Sequence, residues 1–233
     1  MSGALRIATA SGWSEQLRDA IRSADELAAA VGLDPCQLPA AQAAQGAFPL
    51  LVPRAFAARM RRGDPGDPLL RQVLVAPEEE LTVPGFDGDP VGELSRYADR
   101  PGLLQKYSGR ALLIATGHCA INCRYCFRRH YPYGEQALTR SERLARIGEL
   151  VADESIGEII LSGGDPLLLA DRELGAVARH IAGASRPITL RVHTRLPVVI
   201  PDRVTEGLLA ALTLEGLRSV VVLHSNHAQE IDP

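Results

Sequence analysis

Three cysteines lie close together in the segment Cys119-Ala-Ile-Asn-Cys123-Arg-Tyr-Cys126. Such tight spacing makes a poor disulfide framework, whereas three thiolates on one loop can converge on a single inorganic centre. A structural zinc ion would need a fourth ligand, for which His118, His130 and the distant Cys36 are candidates. An iron–sulfur cubane held by three thiolates would keep one iron open to a small molecule. Unliganded buried cysteines are a third interpretation, which the polar character of the loop disfavours.

The cysteine loop belongs to a part of the chain in which apolar and amphipathic segments alternate. Apolar runs begin near residues 111, 158, 188 and 218, and helices are predicted over 139–152, with Ser141 as its cap, 171–183 and 202–214. Strand–helix units of ~30 residues predict a parallel sheet. We therefore expect an α/β fold, a partial (β/α) barrel with about four parallel strands.

Polar residues follow each predicted strand directly. After the cysteine loop these segments are Ser162-Gly163-Gly164-Asp165, His193-Thr194-Arg195 and His224-Ser225-Asn226-His227. The C-terminal ends of parallel strands meet at one edge of a sheet, where α/β proteins gather their functional groups, so this edge is the predicted site. Structural roles are also open: a left-handed turn at the glycines, a cap at Asp165, packing for the histidines and neutralisation of the strand edge for Arg195.

The first hundred residues are predicted to form a helical extension. Helices are expected over 14–31, with Ser14 as a cap, over 53–62 and over 69–74, and residues 76–102 look like a long surface connection rich in proline, glycine and acidic residues. We expect an N-terminal helical extension and linker over 1–105 and an incomplete barrel core over 106–233. The chain ends straight after the fourth predicted strand, so we expect it to be a piece of a longer protein.

Composition narrows the class of protein. Of the 233 residues 46% are hydrophobic and 23% are charged, with a formal net charge of −3, as in an ordinary soluble globular protein. No apolar run approaches the ~20 residues of a membrane helix, and the N-terminus has no secretory pattern. The near-neutral charge gives no general attraction to nucleic acid. These features predict a cytoplasmic protein with neither a membrane nor a nucleic acid as a direct partner.

A family resemblance adds to this interpretation. The CxxxCxxC spacing, with Tyr125 before the last cysteine and a strand ahead of the loop, resembles the radical S-adenosylmethionine (SAM) superfamily. Within that superfamily, the segment GHCAINCRYCFRRHYPY is similar to the lysine 2,3-aminomutase group, as are KYSGRALLIAT, LSGGDPLLL, LRVHTRLPVVIPDRVT and LHSNHAQEIDP. The resemblance extends into the segment LLVPRAFAARMRRGDPGDPLLRQVL. It is strongest to the branch of the family that makes β-lysine for modifying elongation factor P.

This resemblance implies an isomerase that moves the α-amino group of L-lysine to C3 and gives (R)-β-lysine. Cys119, Cys123 and Cys126 would hold a [4Fe–4S] cluster, and Arg128 would bind the substrate carboxylate. Tyr107 and Arg110 would meet the phosphate of pyridoxal 5′-phosphate (PLP). The residues implied in SAM binding are Tyr125, Ser162, Gly163, Gly164, Asp165, His224 and Asn226.

The single lysine of the chain, Lys106, lies before the first predicted strand. PLP enzymes hold their cofactor on a lysine amine, and the resemblance implies that this lysine comes beyond Pro233. The implied partners are L-lysine, a one-electron donor such as flavodoxin or ferredoxin, and, through the product, elongation factor P and its lysine ligase. A catabolic lysine 2,3-aminomutase, an inactive fragment and a zinc-stapled binding module are the alternatives.

Overall fold

The computed structural model describes residues 12–34, 48–94 and 100–231. The central element of these residues is a five-stranded sheet. The strands stand in sequence order, β1 is antiparallel to β2, and β2 to β5 are parallel. The four predicted parallel strands and the partial (β/α) barrel are thereby confirmed, and the short β1 is an addition. The strands are β1 (Leu103–Leu104), β2 (Arg110–Thr116), β3 (Glu158–Gly163), β4 (Thr189–Thr194) and β5 (Arg218–Leu223).

The helices of the described ranges precede the sheet or connect its strands. Short 3₁₀ turns lie at Leu70–Gln72, Pro77–Glu80, Pro166–Leu168, Pro201–Arg203 and Ala228–Glu230. The α-helices are α1 (Gly12–Arg18), α2 (Ala24–Val31), α3 (Arg54–Ala57), α4 (Tyr133–Gln136), α5 (Arg140–Ala152), α6 (Asp171–Ala182), α7 (Leu196–Val199) and α8 (Glu206–Leu212).

Side-chain caps decide where two of these helices begin. Thr139 caps α5, because its hydroxyl accepts from the Glu142 amide while the Glu142 carboxylate accepts from the Thr139 amide. The predicted cap Ser141 is therefore wrong, since it lies inside the helix. Ser23 caps α2, whereas the predicted cap Ser14 lies within α1.

Two predicted helices are shorter than expected because polar groups capture the backbone. The helix predicted over 53–62 ends at Ala57, and the Arg61 amide donates to the buried Asp67 carboxylate at 3.0 Å. The helix predicted over 202–214 begins at Glu206, where the Thr205 hydroxyl accepts from the Leu208 amide. In both places a hydrogen bond to a side chain replaces a helical one.

The two faces of the sheet have different characters. On one face the apolar residues Ile159, Leu161 and Val192 are buried in one hydrophobic cluster with side chains of α5, α6 and α8. The other face carries half-buried polar side chains from alternating positions, including Arg191 and His193. A polar concave face beneath the ends of the strands is what a ligand site inside a barrel requires.

The N-terminal residues share the core of the sheet. Ile21, Leu27, Phe56 and Leu69 are fully buried in the same hydrophobic cluster as the strands, and Ile21 pairs with Val52 through an isolated antiparallel bridge. A domain boundary near residue 105 stays a prediction, because the core runs across it. Among the described residues, no helix has both the length and the apolar character that a membrane crossing demands.

Candidate functional site

The cysteine loop follows β2 at the edge formed by the C-terminal ends of the strands. Cys119, Cys123 and Cys126 are all free and partly exposed, and a turn closes from the Cys126 amide to the Cys123 carbonyl at 3.0 Å. Burial raises the pKa of the Cys119 thiol, and the charges of Asp165 and the other two cysteines raise it further. Metal coordination would reverse this effect, since a metal ion deprotonates the thiols that bind it.

A glycine-rich turn after β3 supports the start of the cysteine loop. The Gly164 amide donates to the Thr116 carbonyl at 2.7 Å, and the Asp165 amide donates to the His118 carbonyl at 2.8 Å. A Cβ atom on Gly164 would lie 2.6 Å from the carbonyl carbon of His118 and closer still to its oxygen. The Gly163 carbonyl accepts from the Tyr133 hydroxyl at 2.7 Å. Packing of one loop on another therefore accounts for these glycines, and their contact with SAM stays a prediction.

Asp165 connects three segments, which are the 3₁₀ turn after β3, the end of β4 and the start of α7. Its Oδ1 accepts from the Leu167 amide at 3.0 Å and from the Thr194 hydroxyl, and its Oδ2 accepts from the amides of Arg195 and Leu196. The predicted capping role is confirmed by the first of these bonds. Because each carboxylate oxygen already accepts two hydrogen bonds, the carboxylate has no free acceptor position for SAM, and that contact stays an unsupported prediction.

Arg195 is the centre of a buried polar network beside the cysteines. It donates from Nη1 to the Cys123 Sγ at 2.7 Å and to the Tyr125 hydroxyl, and from Nη2 to Gln72 Oε1 at 2.6 Å and Glu230 Oε1 at 3.1 Å. The sequence analysis missed Gln72 and Glu230. No local signal points to Gln72, whereas the chain's return to this edge after β5 could have drawn attention to Glu230.

Three residues expected to face SAM form an exposed cluster next to this network. The rings of Tyr125 and His224 meet edge to face with their centroids 5.8 Å apart. His224 Nε2 lies 3.0 Å from Asn226 Oδ1, and the side-chain Nδ2 of Asn226 donates to the Tyr125 hydroxyl. An aromatic face with neighbouring hydrogen-bonding groups suits an adenosyl group.

Arg128 is buried on the inner side of the site. Its Nε and Nη2 donate to the two carboxylate oxygens of Glu93 at 2.8 and 2.9 Å, and its Nη1 donates to Ser162 Oγ at 3.0 Å. Burial lowers the pKa of the guanidinium, but the Glu93 carboxylate outweighs this and raises it above its usual value. Arg128 is therefore a permanent cation next to the strand end that carries Ser162.

The neighbouring arginines of the loop have a structural partner. Arg124 and Arg129 both donate to the Glu79 carboxylate, at distances between 2.5 and 3.1 Å. Burial would raise the pKa of Glu79, but these hydrogen bonds hold it at about 2. Residues 77–94 are thus more than a surface connection, because Glu79 and Glu93 anchor them to the cysteine loop.

We expect Glu79→Gln to destabilise the protein in a pH-dependent way. A carboxyl with a lowered folded-state pKa contributes stability above its ordinary pKa of 4.5, and this contribution is lost as the pH falls towards about 2. At pH 7 the free energy of unfolding of the wild type should exceed that of the variant by about 2–3 kcal/mol. This difference should shrink as the pH falls from 4.5 to 2. Urea unfolding measures it, and the exposed Glu78→Gln is the control. A difference that does not change with pH would contradict this account.

The residues expected to bind PLP lie elsewhere. Arg110 begins β2 and pairs in register with Glu158 at the start of β3, so it is separated from the cysteine loop by the length of β2, roughly 20 Å. Its guanidinium lies 5.9 Å from the ring centroid of the exposed Tyr107. The structure therefore does not bring this pair to the edge that carries the cysteines, and its contact with PLP stays a prediction.

Comparison with known proteins identifies the family. The model of the radical SAM superfamily matches residues 113–220, which include the second half of β2, the cysteine loop, β3, β4 and the start of β5. The L-lysine 2,3-aminomutase of Escherichia coli K12 is 42% identical over 221 residues, which are 94% of this chain and 64% of that protein. The chain belongs to the radical SAM lysine 2,3-aminomutase family.

Two further relatives are also covered only in part by this chain. The L-lysine 2,3-aminomutase of Haemophilus influenzae is 40% identical over 94% of this chain and 65% of that protein. The Bacillus subtilis L-lysine 2,3-aminomutase is 29% identical over 86% of the chain and 42% of its own length. The chain therefore spans somewhat less than two thirds of the length of the first relatives that it matches.

Radical SAM membership implies a [4Fe–4S] cluster and SAM, and the cysteine loop fits the cluster. Three partly exposed thiols share one loop, and an N–H group of Arg195 already points at one sulfur. Within the described ranges, no three His, Cys, Asp or Glu side chains are grouped as ligands of one metal ion. Cubane ligands bind three separate irons and stand further apart than ligands of one ion, so three thiols spread along one loop are compatible with the cluster.

The described residues do not fit the covalent attachment of PLP. Lys106 is the only lysine of the chain, and its ammonium group donates to the Val91 carbonyl at 2.6 Å and lies 3.6 Å from Glu93 Oε1. A Schiff base forms on the free amine of a lysine, and here the Val91 carbonyl and the Glu93 carboxylate already contact that group. The expectation that the PLP lysine lies beyond Pro233 stays a prediction, and both Pro233 and Cys36 lie outside the described residues.

Proposed function

We propose that the protein to which this chain belongs converts L-α-lysine to (R)-β-lysine by a radical SAM 2,3-amino migration. The observation that carries this proposal is the placement of Cys119, Cys123 and Cys126 on one loop, beside the Tyr125–His224–Asn226 cluster. The identity to L-lysine 2,3-aminomutases supports lysine as the substrate.

Each thiol of the loop would bind one iron of the cluster. When bound, the cluster supplies the single electron that cleaves SAM reductively. Arg195 keeps a positive charge against Cys123 Sγ, and the electrons of the cluster would be stabilised by that charge and by the N–H···S hydrogen bond. Tyr125, His224 and Asn226 would orient the adenosyl part of SAM above the loop.

Arg128 would bind the carboxylate of lysine. Its guanidinium is planar and permanently charged, and its Nη1 donates to Ser162 at the end of β3, next to the cysteine loop. A carboxylate held there would fix the α- and β-carbons of the substrate close to the reactive adenosyl group. Contact of Tyr107 and Arg110 with the phosphate of PLP is supported by the resemblance alone, because the length of β2 separates Arg110 from the cysteine loop.

We further propose that the (R)-β-lysine serves the β-lysylation of elongation factor P. The support is the resemblance of the N-terminal extension and of the FRRHYPY segment to the branch with that role. On this proposal the lysine ligase of elongation factor P consumes the product, and flavodoxin or ferredoxin delivers the electron. The reaction would take place in the cytoplasm, where reducing conditions keep the cluster intact.

Anaerobic reconstitution tests the activity. The complete protein, loaded with iron, sulfide, SAM, PLP and dithionite, is expected to convert L-lysine to β-lysine, detected by chiral chromatography. Elongation factor P and its ligase added to the mixture should then gain the mass of β-lysine. A colourless protein that retains one zinc ion and forms no β-lysine would contradict the proposal. β-Lysine that the ligase does not use would favour the catabolic alternative.

A further inference from the structure

The carboxylate of Glu93 accepts two hydrogen bonds from one edge of the Arg128 guanidinium. The two side chains form a bidentate pair through Nε and Nη2, and both are buried, with 8% and 6% of their side-chain surface exposed. Arginine has five N–H donors. Two of them point to Glu93 and a third points to Ser162 Oγ, which leaves one N–H on each terminal nitrogen without a partner among the described residues.

The segment that carries Glu93 is itself fixed in place. The Asp89 carboxylate accepts from the amides of Glu93 and Leu94, both at 2.8 Å. Lys106 donates to the Val91 carbonyl and lies 3.6 Å from Glu93 Oε1. Glu93 is therefore anchored from both sides, and it in turn sets the rotamer and the plane of the Arg128 guanidinium.

The net charge of Arg128, Lys106 and Glu93 also matches a ligand with one negative charge. Arg128 and Lys106 contribute two positive charges and Glu93 one negative charge, so one net positive charge remains. A buried cation that retains free N–H donors attracts a ligand with one carboxylate, because pairing satisfies both the charge and the donors. Without Glu93, the same site would hold two adjacent cations and a guanidinium that keeps only its hydrogen bond to Ser162.

We propose that Glu93 is a positioning residue for substrate recognition. It holds Arg128 by one edge so that the remaining N–H donors face the α-carboxylate of the amino acid substrate. This inference rests on the proposed function, since it takes the ligand of Arg128 to be an amino acid. It predicts that Glu93 increases the preference for ligands with a carboxylate without taking part in the chemical step.

Glu93→Gln in the complete, anaerobically loaded protein tests this role. Calorimetric titration compares the dissociation constants for L-lysine and for cadaverine, which is lysine without its carboxylate. We expect the variant to bind lysine at least tenfold more weakly and cadaverine unchanged, and KM for lysine to rise while kcat changes less than threefold. Glu93→Asp, which keeps the charge, should recover part of the lost preference. Iron content and thermal melting report cluster loading and folding.

Glu79→Gln is the matched control, because it also removes a buried carboxylate that pairs with arginines of the same loop. It should lower stability but leave the ratio of the two dissociation constants unchanged. An unchanged ratio in Glu93→Gln, or tighter lysine binding through loss of a competing carboxylate, would overturn the positioning role alone. A wild type that neither distinguishes lysine from cadaverine nor makes β-lysine would overturn the proposed function as well.

Discussion

Alanine at Cys119, Cys123 or Cys126 is expected to reduce the iron and sulfide of the anaerobically reconstituted protein to background. Each sulfur would hold a different iron, so the loss of one leaves two thiolates on a partly exposed loop. The charge-transfer absorption of the cluster and the reductive cleavage of SAM should disappear together. Iron and sulfide analysis, absorption spectra and detection of 5′-deoxyadenosine measure the three consequences.

Cys36→Ala is the control for this experiment, because Cys36 lies far from the cysteine loop in sequence and is expected to be a free thiol. It should retain the cluster and cleave SAM like the wild type. If a variant with alanine at all three loop cysteines still cleaved SAM, the proposed function would lose its basis. The same conclusion would follow if the wild-type protein took up no iron.

Gly164→Ala is expected to destabilise the protein strongly. The new Cβ would lie 2.6 Å from the carbonyl carbon of His118, and the neighbour is backbone, which cannot rotate away. Relief requires the turn after β3 and the start of the cysteine loop to separate. That movement would also break the hydrogen bonds that join Gly164 to Thr116 and Asp165 to His118. We expect a cost of about 3 kcal/mol or more, with weaker cluster binding.

Gly148→Ala provides the comparison, since no atom lies within 4 Å of the Cβ position at this glycine of α5. There the added methyl should stabilise the protein slightly, by up to about 1 kcal/mol, because alanine favours the helix. Chemical denaturation of both variants and iron titration of Gly164→Ala measure the effects. Equal stability of Gly164→Ala and the wild type would show that the two loops are not packed as described.

The features of the site that could be predicted from the sequence are those with a local cause. The parallel strands follow from apolar runs at regular intervals, and the position of the cysteine loop follows from its place directly after one of them. The capping role of Asp165 follows from its place before Pro166. The caps Ser14 and Ser141 were wrong because several hydroxyl residues lie near each helix start, and local sequence does not choose between them.

The partners of the charged residues could not be predicted, because they come from distant parts of the chain. Arg195 bonds to Gln72, 123 residues away, and Arg128 to Glu93, 35 residues away. The region before residue 105 is predicted from the sequence to be a helical extension and linker, whereas it supplies carboxylates and an amide to the site. For Arg195 the structural alternative is neutralisation of a strand edge, whereas its guanidinium joins the cysteine loop to the last described turn.

The sequence by itself determined the family, the sheet and the three thiols, because residue spacing and hydrophobic period are local properties that chain geometry converts directly into elements. Only the tertiary structure decided which cations stay available to a ligand. Arg124 and Arg129 share the one carboxylate of Glu79, whereas Arg128 pairs bidentately with Glu93 and has two N–H donors without a partner among the described residues. The reason is physical: the charge left at a site depends on which carboxylates folding brings next to it, and sequence distance does not encode that.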